Sequence, residues 1–318
     1  MAVETTTENT TLQQTEETSS DEERTTVPPA QELETEETTA ESTPGNSVGN
    51  ARCFFGERTG TEKTATGLEP LQKREFSLYD KEKFSGMSVK LIEHGYGAAQ
   101  DEKPHNVSVT NQQFFNEKGF DAICLDTISE EKVLYLTFDC GYENGYTSKI
   151  LDVLKEKEVP AAFFCTLPQV RDNGELIARM INEGHIVGNH SVTHPDFSSL
   201  SSEEIIEEVK GFDDYIRENF GYSSMFFRYP QGKYSEKSTA VLNELGFKCV
   251  FWSLAYADWD LDNQKGALYA YETVMSRLHP GAVILLHSVS PDNANALSDI
   301  IDSAISRGYV FKSLEELN

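Results

Sequence analysis

Positive charge is scarce in this chain: 27 Lys and Arg stand against 53 Asp and Glu, a formal net charge of −26. Nucleic acid and anionic membrane surfaces both require clustered Lys and Arg, so the composition excludes them as partners. Cysteine is nearly as scarce. The five (Cys53, Cys124, Cys140, Cys165 and Cys249) are odd in number and contain no Cys-x-x-Cys pair, which argues against a disulfide framework. Cys140, Cys165 and Cys249 fall in or beside buried-looking strands, where a free thiol behaves as a small hydrophobe. No apolar run approaches the roughly 20 residues of a membrane span, and no signal-peptide core is present.

The first 65 residues lack what a core needs. Thr, Glu, Ser and Pro dominate them, large apolar side chains are few, and Arg24 is the only basic residue before Arg52. Such a stretch cannot bury enough surface to offset chain entropy, so residues 1–65 read as a disordered acidic tether. Its abrupt start fits a stalk from which an export signal or anchor has been removed, and the expected location is the cell envelope or outside the cell. Residues 66–130 carry scattered aromatics (Phe76, Tyr79, Phe84, Tyr96, Phe114, Phe115 and Phe120) and read as an extension packed on the main domain, 131–318.

The main domain holds five short polar signatures, each at the end of an apolar run. They are Thr137-Phe138-Asp139-Cys140-Gly141, His190-Ser191-Val192-Thr193-His194, Arg228-Tyr229-Pro230-Gln231-Gly232, Asp258-Trp259 and Leu285-Leu286-His287. The runs before them, such as Val133-Leu134-Tyr135-Leu136 and Val283-Ile284-Leu285-Leu286, are short and β-branched or aromatic, as buried strands are. Helix patterns separate them: 148–157, 175–182, a capping box at Ser201-Ser202-Glu203-Glu204 opening a helix toward Phe220, 235–245, 271–278 and 294–307. Repeated βα units imply an α/β fold with a parallel sheet, and about 190 residues is short for a full eight-fold barrel, so a distorted or reduced one is expected. The strand ends of such a sheet converge on one face, where α/β enzymes build their sites.

Each signature carries chemistry suited to that place. His190 and His194, four apart, would face the same way in a helical turn, a spacing that suits two ligands of one Zn²⁺-like ion. Asp139 emerges from a buried strand just before a glycine turn. Arg228 offers a fixed charged fork that can hold a carboxylate ionised. His287 ends the most apolar strand, a good place for a tuned proton donor, and Asp258 can hydrogen-bond one of its nitrogens.

The ordered set resembles the polysaccharide deacetylases of carbohydrate esterase family 4, the NodB-homology group, over residues 131–318. Gly141 to Thr147, Asn263 to Gly266, His279 to Ala282 and Phe311 to Leu314 resemble its delta-lactam-biosynthetic de-N-acetylase branch, which acts on muramic acid of peptidoglycan in spore formers. The resemblance implies a hydrolase in which Asp139 is the general base, His287 the general acid, and Arg228 and Asp258 their orienting partners. It implies a divalent metal, zinc among the candidates, on His190 and His194. A backbone N–H between Tyr229 and Gly232 would hold the oxyanion, and Tyr229, Gln231 and Trp259 are candidate substrate contacts.

Two positions depart from the family pattern. Cys140 stands where a second Asp normally supplies the third metal ligand, and a thiolate can replace it or the metal can be weak or absent. Ala255 stands where the first Asp of the Asp-Trp motif is common. The alternatives are deacetylation of N-acetylglucosamine in peptidoglycan or chitin, ester cleavage on acetylated xylan, and a glycan-binding pseudoenzyme. The expected partner throughout is a glycan strand of the cell wall.

Overall fold

The run from Val133 to Cys140 is one strand with every residue buried, as a parallel strand covered on both faces reads. Around it the computed structural model describes residues 52–78 and 82–317. In chain order the elements are β1 (Ile92–Glu93), α1 (Asn106–Lys118), β2 (Ala122–Ile123), β3 (Val133–Cys140), α2 (Thr147–Glu156), β4 (Ala161–Cys165), α3 (Leu167–Asp172), α4 (Gly174–Asn182), β5 (Ile186–Asn189) and α5 (Ser202–Phe220). There follow β6 (Phe226–Phe227), β7 (Lys233–Tyr234), α6 (Glu236–Glu244), β8 (Lys248–Val250), α7 (Ala267–Ser276), β9 (Ala282–His287), α8 (Pro291–Ser306) and β10 (Val310–Phe311).

The main sheet runs β10-β3-β4-β5-β6-β8-β2, with β9 also paired to β3. All its pairings are parallel. Beyond β8 the chain meets the other side of β9: Ser253 N donates to Val283 O at 3.0 Å and Leu285 N to Leu254 O at 2.9 Å. The expected α/β fold, a distorted and reduced barrel of parallel strands, is the one observed. Its reduction is visible in β2, β6 and β10, which are two residues long, and β8, which is three.

The helix patterns behave as their sequences require. Ser201 Oγ accepts from Glu204 N at 3.2 Å and Glu204 Oε2 accepts from Ser201 N at 2.7 Å, closing the expected capping box. Gly221, left-handed at φ 58°, ends that helix.

Two expectations on chain organisation change. The tether assignment for residues 1–51 lies outside the described residues. Residues 52–65 are held on the barrel: Met225 N donates to Arg52 O at 2.7 Å, Phe54 N to Ser223 O at 3.0 Å, and Cys53 is buried. Cys53, Phe54 and Phe55 give this short piece the apolar surface that the preceding residues lack; Phe54 meets Tyr222 edge-on at 4.7 Å between ring centres. The 66–130 region is more than an appended layer, because β2 joins the main sheet beside β8 and α1 covers it. A two-residue strand leaves no periodicity to read, which hid this contribution.

Candidate active site

The five signatures converge on a cleft of about 920 Å³ at the C-terminal ends of the strands. Asp139 at the end of β3, His190 just past β5, His194 and His287 at the end of β9 line it. Arg228, just past β6, is fully buried beneath them, and Asp258 sits behind His287.

The Asp139 side is built inside the barrel. Arg228 Nη1 donates to Asp139 Oδ1 at 3.0 Å and to Thr137 Oγ1 at 2.8 Å, while Nε and Nη2 donate to the carbonyls of Val250 at 2.9 Å and Phe251 at 3.2 Å. The guanidinium lies 4.3 Å from the centre of the Phe164 ring. Burial pushes the Asp139 carboxyl up, but the charges of Arg228, His190 and His287 outweigh it and hold the group below its usual range. Asp139 is therefore a desolvated, ionised carboxylate with a fixed orientation.

The His287 side is built from a loop. Asp258 Oδ1 pairs with His287 Nδ1 at 2.7 Å, and Asp258 Oδ2 accepts the His287 backbone N–H at 2.7 Å. Burial alone would lower the imidazole; the Asp258 carboxylate reverses that and raises it above its ordinary 6.5, with a further contribution from Asp139. His287 and Asp139 are register partners on adjacent strands, so an ionised carboxylate and an imidazole of raised proton affinity share one cleft.

The two other histidines do not ride on a helical turn. Ser191 and His194 adopt left-handed backbone at φ 73° and 59°, folding the loop so that the two rings meet edge-on at 4.9 Å between centres. Glu208 of α5 pins this loop, accepting from Val192 N and Thr193 N, each at 2.9 Å. His190 Nδ1 lies 2.8 Å from the carbonyl oxygen of Arg228; a carbonyl can only accept, so Nδ1 carries the proton and Nε2 presents its lone pair 3.7 Å from Asp139 Oδ2. Burial lowers His190 to about 4 and also lowers His194, which keeps both rings neutral.

Of the two readings of Cys140, the one in which its thiolate completes a three-donor metal set does not assemble. Successive strand side chains point to opposite faces, and Asp139 takes the cleft side. Cys140 therefore faces the helices: it belongs to the core and sits opposite Cys165 in register. Burial pushes the Cys165 thiol well up, and Cys140 beside it adds to the effect. Among the described residues no three His, Cys, Asp or Glu are gathered to hold a metal ion. His190 and His194 offer two neutral imidazoles, and Cys140 offers nothing to them.

Of the candidate substrate contacts, Gln231 and Trp259 line the cleft. Tyr229 does not. Its ring is fully buried among Phe197, Phe227, Tyr234 and Phe251, and its hydroxyl meets Thr239 Oγ1 at 3.2 Å. Ala255 forms a small apolar floor with Trp252 and Leu285. Sequence reading also missed His94 and Tyr96, brought to the cleft just after β1, and Tyr142 and Tyr256 on its walls. His94 Nε2 lies 2.7 Å from the Trp252 carbonyl oxygen and so ties the extension to the floor.

A family profile described as polysaccharide deacetylase matches residues 126–250. The chain is 45% identical over 199 residues to the peptidoglycan-N-acetylmuramic acid deacetylase PdaA of Bacillus subtilis, covering 62% of this chain and 75% of that one. The chain belongs to the polysaccharide deacetylase family. The solved structure of Bacillus subtilis PdaA, a family 4 carbohydrate esterase, superposes with a TM-score of 0.69 at 40% identity, covering 72% of this chain and 97% of that one. A family 4 carbohydrate esterase from Bacillus anthracis gives a TM-score of 0.60 at 38% identity, covering 73% and 98%. As a polysaccharide deacetylase the chain is a hydrolase acting on N-acetyl amide bonds. Deacetylases of this family are generally metal-dependent. No described helix is long and apolar enough to cross a membrane.

Proposed function

We propose that this chain removes the N-acetyl group from N-acetylmuramic acid residues of peptidoglycan, outside the cytoplasm, on the route to muramic delta-lactam in the spore cortex. One observation carries the reading. An Asp139 held ionised by Arg228 and a His287 whose proton affinity is raised by Asp258 stand on adjacent strands across one cleft, in a chain 45% identical to a peptidoglycan-N-acetylmuramic acid deacetylase.

The reaction follows from those two environments. Asp139, kept ionised and oriented by Arg228, takes a proton from a water as the water oxygen bonds to the acetamide carbon. The carbonyl oxygen becomes the oxyanion, and a backbone N–H of the Tyr229–Gly232 loop, which borders the cleft at Gln231, would donate to it. The C–N bond then breaks while His287 delivers its proton to the departing nitrogen, leaving the amine and acetate. His287 can do so near neutrality because Asp258 holds the imidazolium form. Family members generally use a metal; among the described residues His190 and His194 would be its donors.

The test uses the full chain on two peptidoglycans, one with stem peptides and one stripped of them by an amidase, with mass spectrometry of the released muropeptides. Loss of acetyl from stripped muramic acid, or formation of its lactam, is the expected result. Loss from glucosamine instead would move the substrate to N-acetylglucosamine, and no loss from either would leave a glycan-binding pseudoenzyme.

A further inference from the structure

The proton donor is held by more than its carboxylate. Asp258 Oδ2 accepts from Asn293 Nδ2 as well as from the His287 backbone, and Asn293 is fully buried. A carboxylate can only accept, so the Asn293 amide nitrogen must face it and the amide oxygen must face the other way. There it accepts from the Tyr256 hydroxyl at 2.5 Å. Tyr256 in turn forms part of the cleft wall. The hydrogen-bonded order is Tyr256, Asn293, Asp258, His287, and it begins and ends at the cleft.

Asn293 lies in the first turn of α8, and that turn grips the Asp258 loop at two further points. Asp292 Oδ2 accepts from Lys265 N and Gly266 N, each at 2.7 Å. Ser290 Oγ, which caps the helix, donates to Gln264 Oε1 at 2.8 Å, and Gln264 Nε2 donates to the carbonyls of Asp258 and Asp260, each at 2.8 Å. The loop carrying Asp258 has no strand or α-helix of its own to fix it, so its orientation depends on these bonds.

We infer that Asn293, supported by Tyr256, is a positioning residue that fixes the Asp258 carboxylate against the His287 imidazole and so sets the geometry of the proton donor. The inference rests on the deacetylase reading for its catalytic meaning, while the hydrogen-bonded geometry can be read without any substrate. Other charged groups acting on His287 are Asp139, Arg228 and His194, and none of them is altered in the variants below.

The experiment compares the full-length wild type with Asn293→Ala, the isosteric Asn293→Asp and Tyr256→Phe. The first readout is the downfield proton resonance of the His287 Nδ1–H, assigned by its loss in His287→Gln. The second is kcat and KM on amidase-stripped peptidoglycan. The resonance is expected to be lost to exchange in Asn293→Ala and Asn293→Asp and to survive, weakened, in Tyr256→Phe. In parallel kcat falls about 10²-fold in the two Asn293 variants and a few-fold in Tyr256→Phe, with KM little changed, as for a donor displaced by a fraction of an ångström. Asn293→Asp is the sharp member, because it keeps the shape and puts a second acceptor against Asp258. A resonance retained in all three variants would overturn the inference whatever their activity, and so would an Asn293→Asp protein with wild-type kcat. If the resonances change as expected while the wild type releases no acetate, the function reading fails and the positioning stands.

Discussion

The two halves of the site are tuned in opposite directions by different construction. Asp139 is fixed by the barrel itself: its partner Arg228 is anchored to Thr137 on β3 and to the carbonyls of Val250, which ends β8, and Phe251 beside it. His287 ends a strand, but its partner Asp258 sits on a loop held by side chains from α8. A buried cation makes a carboxylate hard to protonate, and a buried anion makes an imidazole hard to deprotonate, so each partner prepares the group it touches. The base half should therefore fail by losing stability and chemistry together. The acid half should lose chemistry with a smaller loss of stability.

The largest effect tests the base half. Asp139→Asn keeps the size of the side chain but leaves Arg228 buried without a counter-charge, so kcat should fall by about 10³-fold or more while unfolding stability drops by about 3 kcal/mol. Steady-state kinetics beside a denaturant titration checks both; a variant retaining more than a few per cent of turnover removes Asp139 from the base role.

A smaller effect tests the acid half. In the folded protein His287 binds its proton more tightly than at its ordinary 6.5, so its contribution to stability is complete below pH 6.5 and fades as pH rises through the folded value. The alkaline limb of kcat/KM should therefore lie above pH 6.5. Asp258→Asn removes the main group that raises the imidazole and leaves burial, which lowers it by more than Asp139 raises it. The limb should then move to below pH 6.5, with kcat at neutral pH down about 10²-fold. An unmoved limb would mean that another group donates the proton.

How much of this was legible follows from the same contrast. Asp139, Arg228 and His287 each end or directly follow a short apolar run, and a buried strand announces itself by composition. The helices between them were legible from their periodicity and, at Ser201 and Glu204, from their cap. Asn293 and Glu208 were not, because a polar residue in the first turn of α8 or midway along α5 is ordinary in sequence and becomes informative only when the fold places it against Asp258 or the His190 loop. Tyr229 misled for the opposite reason: it sits inside a signature, yet only the signature's Arg228 and Gln231 serve the site, and the tyrosine ring fills the core. His94 and Tyr96 lie near a two-residue strand that no periodicity marks.

Cys140 gives the smallest effect on activity and the clearest separation of sequence neighbours. It follows Asp139 directly, but strand alternation sends the two side chains to opposite sides of the sheet. Beside Cys165 and the core, the thiol is a packing group. Cys140→Ser places a hydroxyl there with little to bond, so stability should drop by about 1–3 kcal/mol. Metal content by mass spectrometry of the purified protein and kcat should both stay within about twofold of wild type, since no step passes through this sulfur. A parallel loss of metal and turnover in a variant that remains folded would show that β3 can turn Cys140 into the cleft, and the third donor of the family's metal site would then be this thiol.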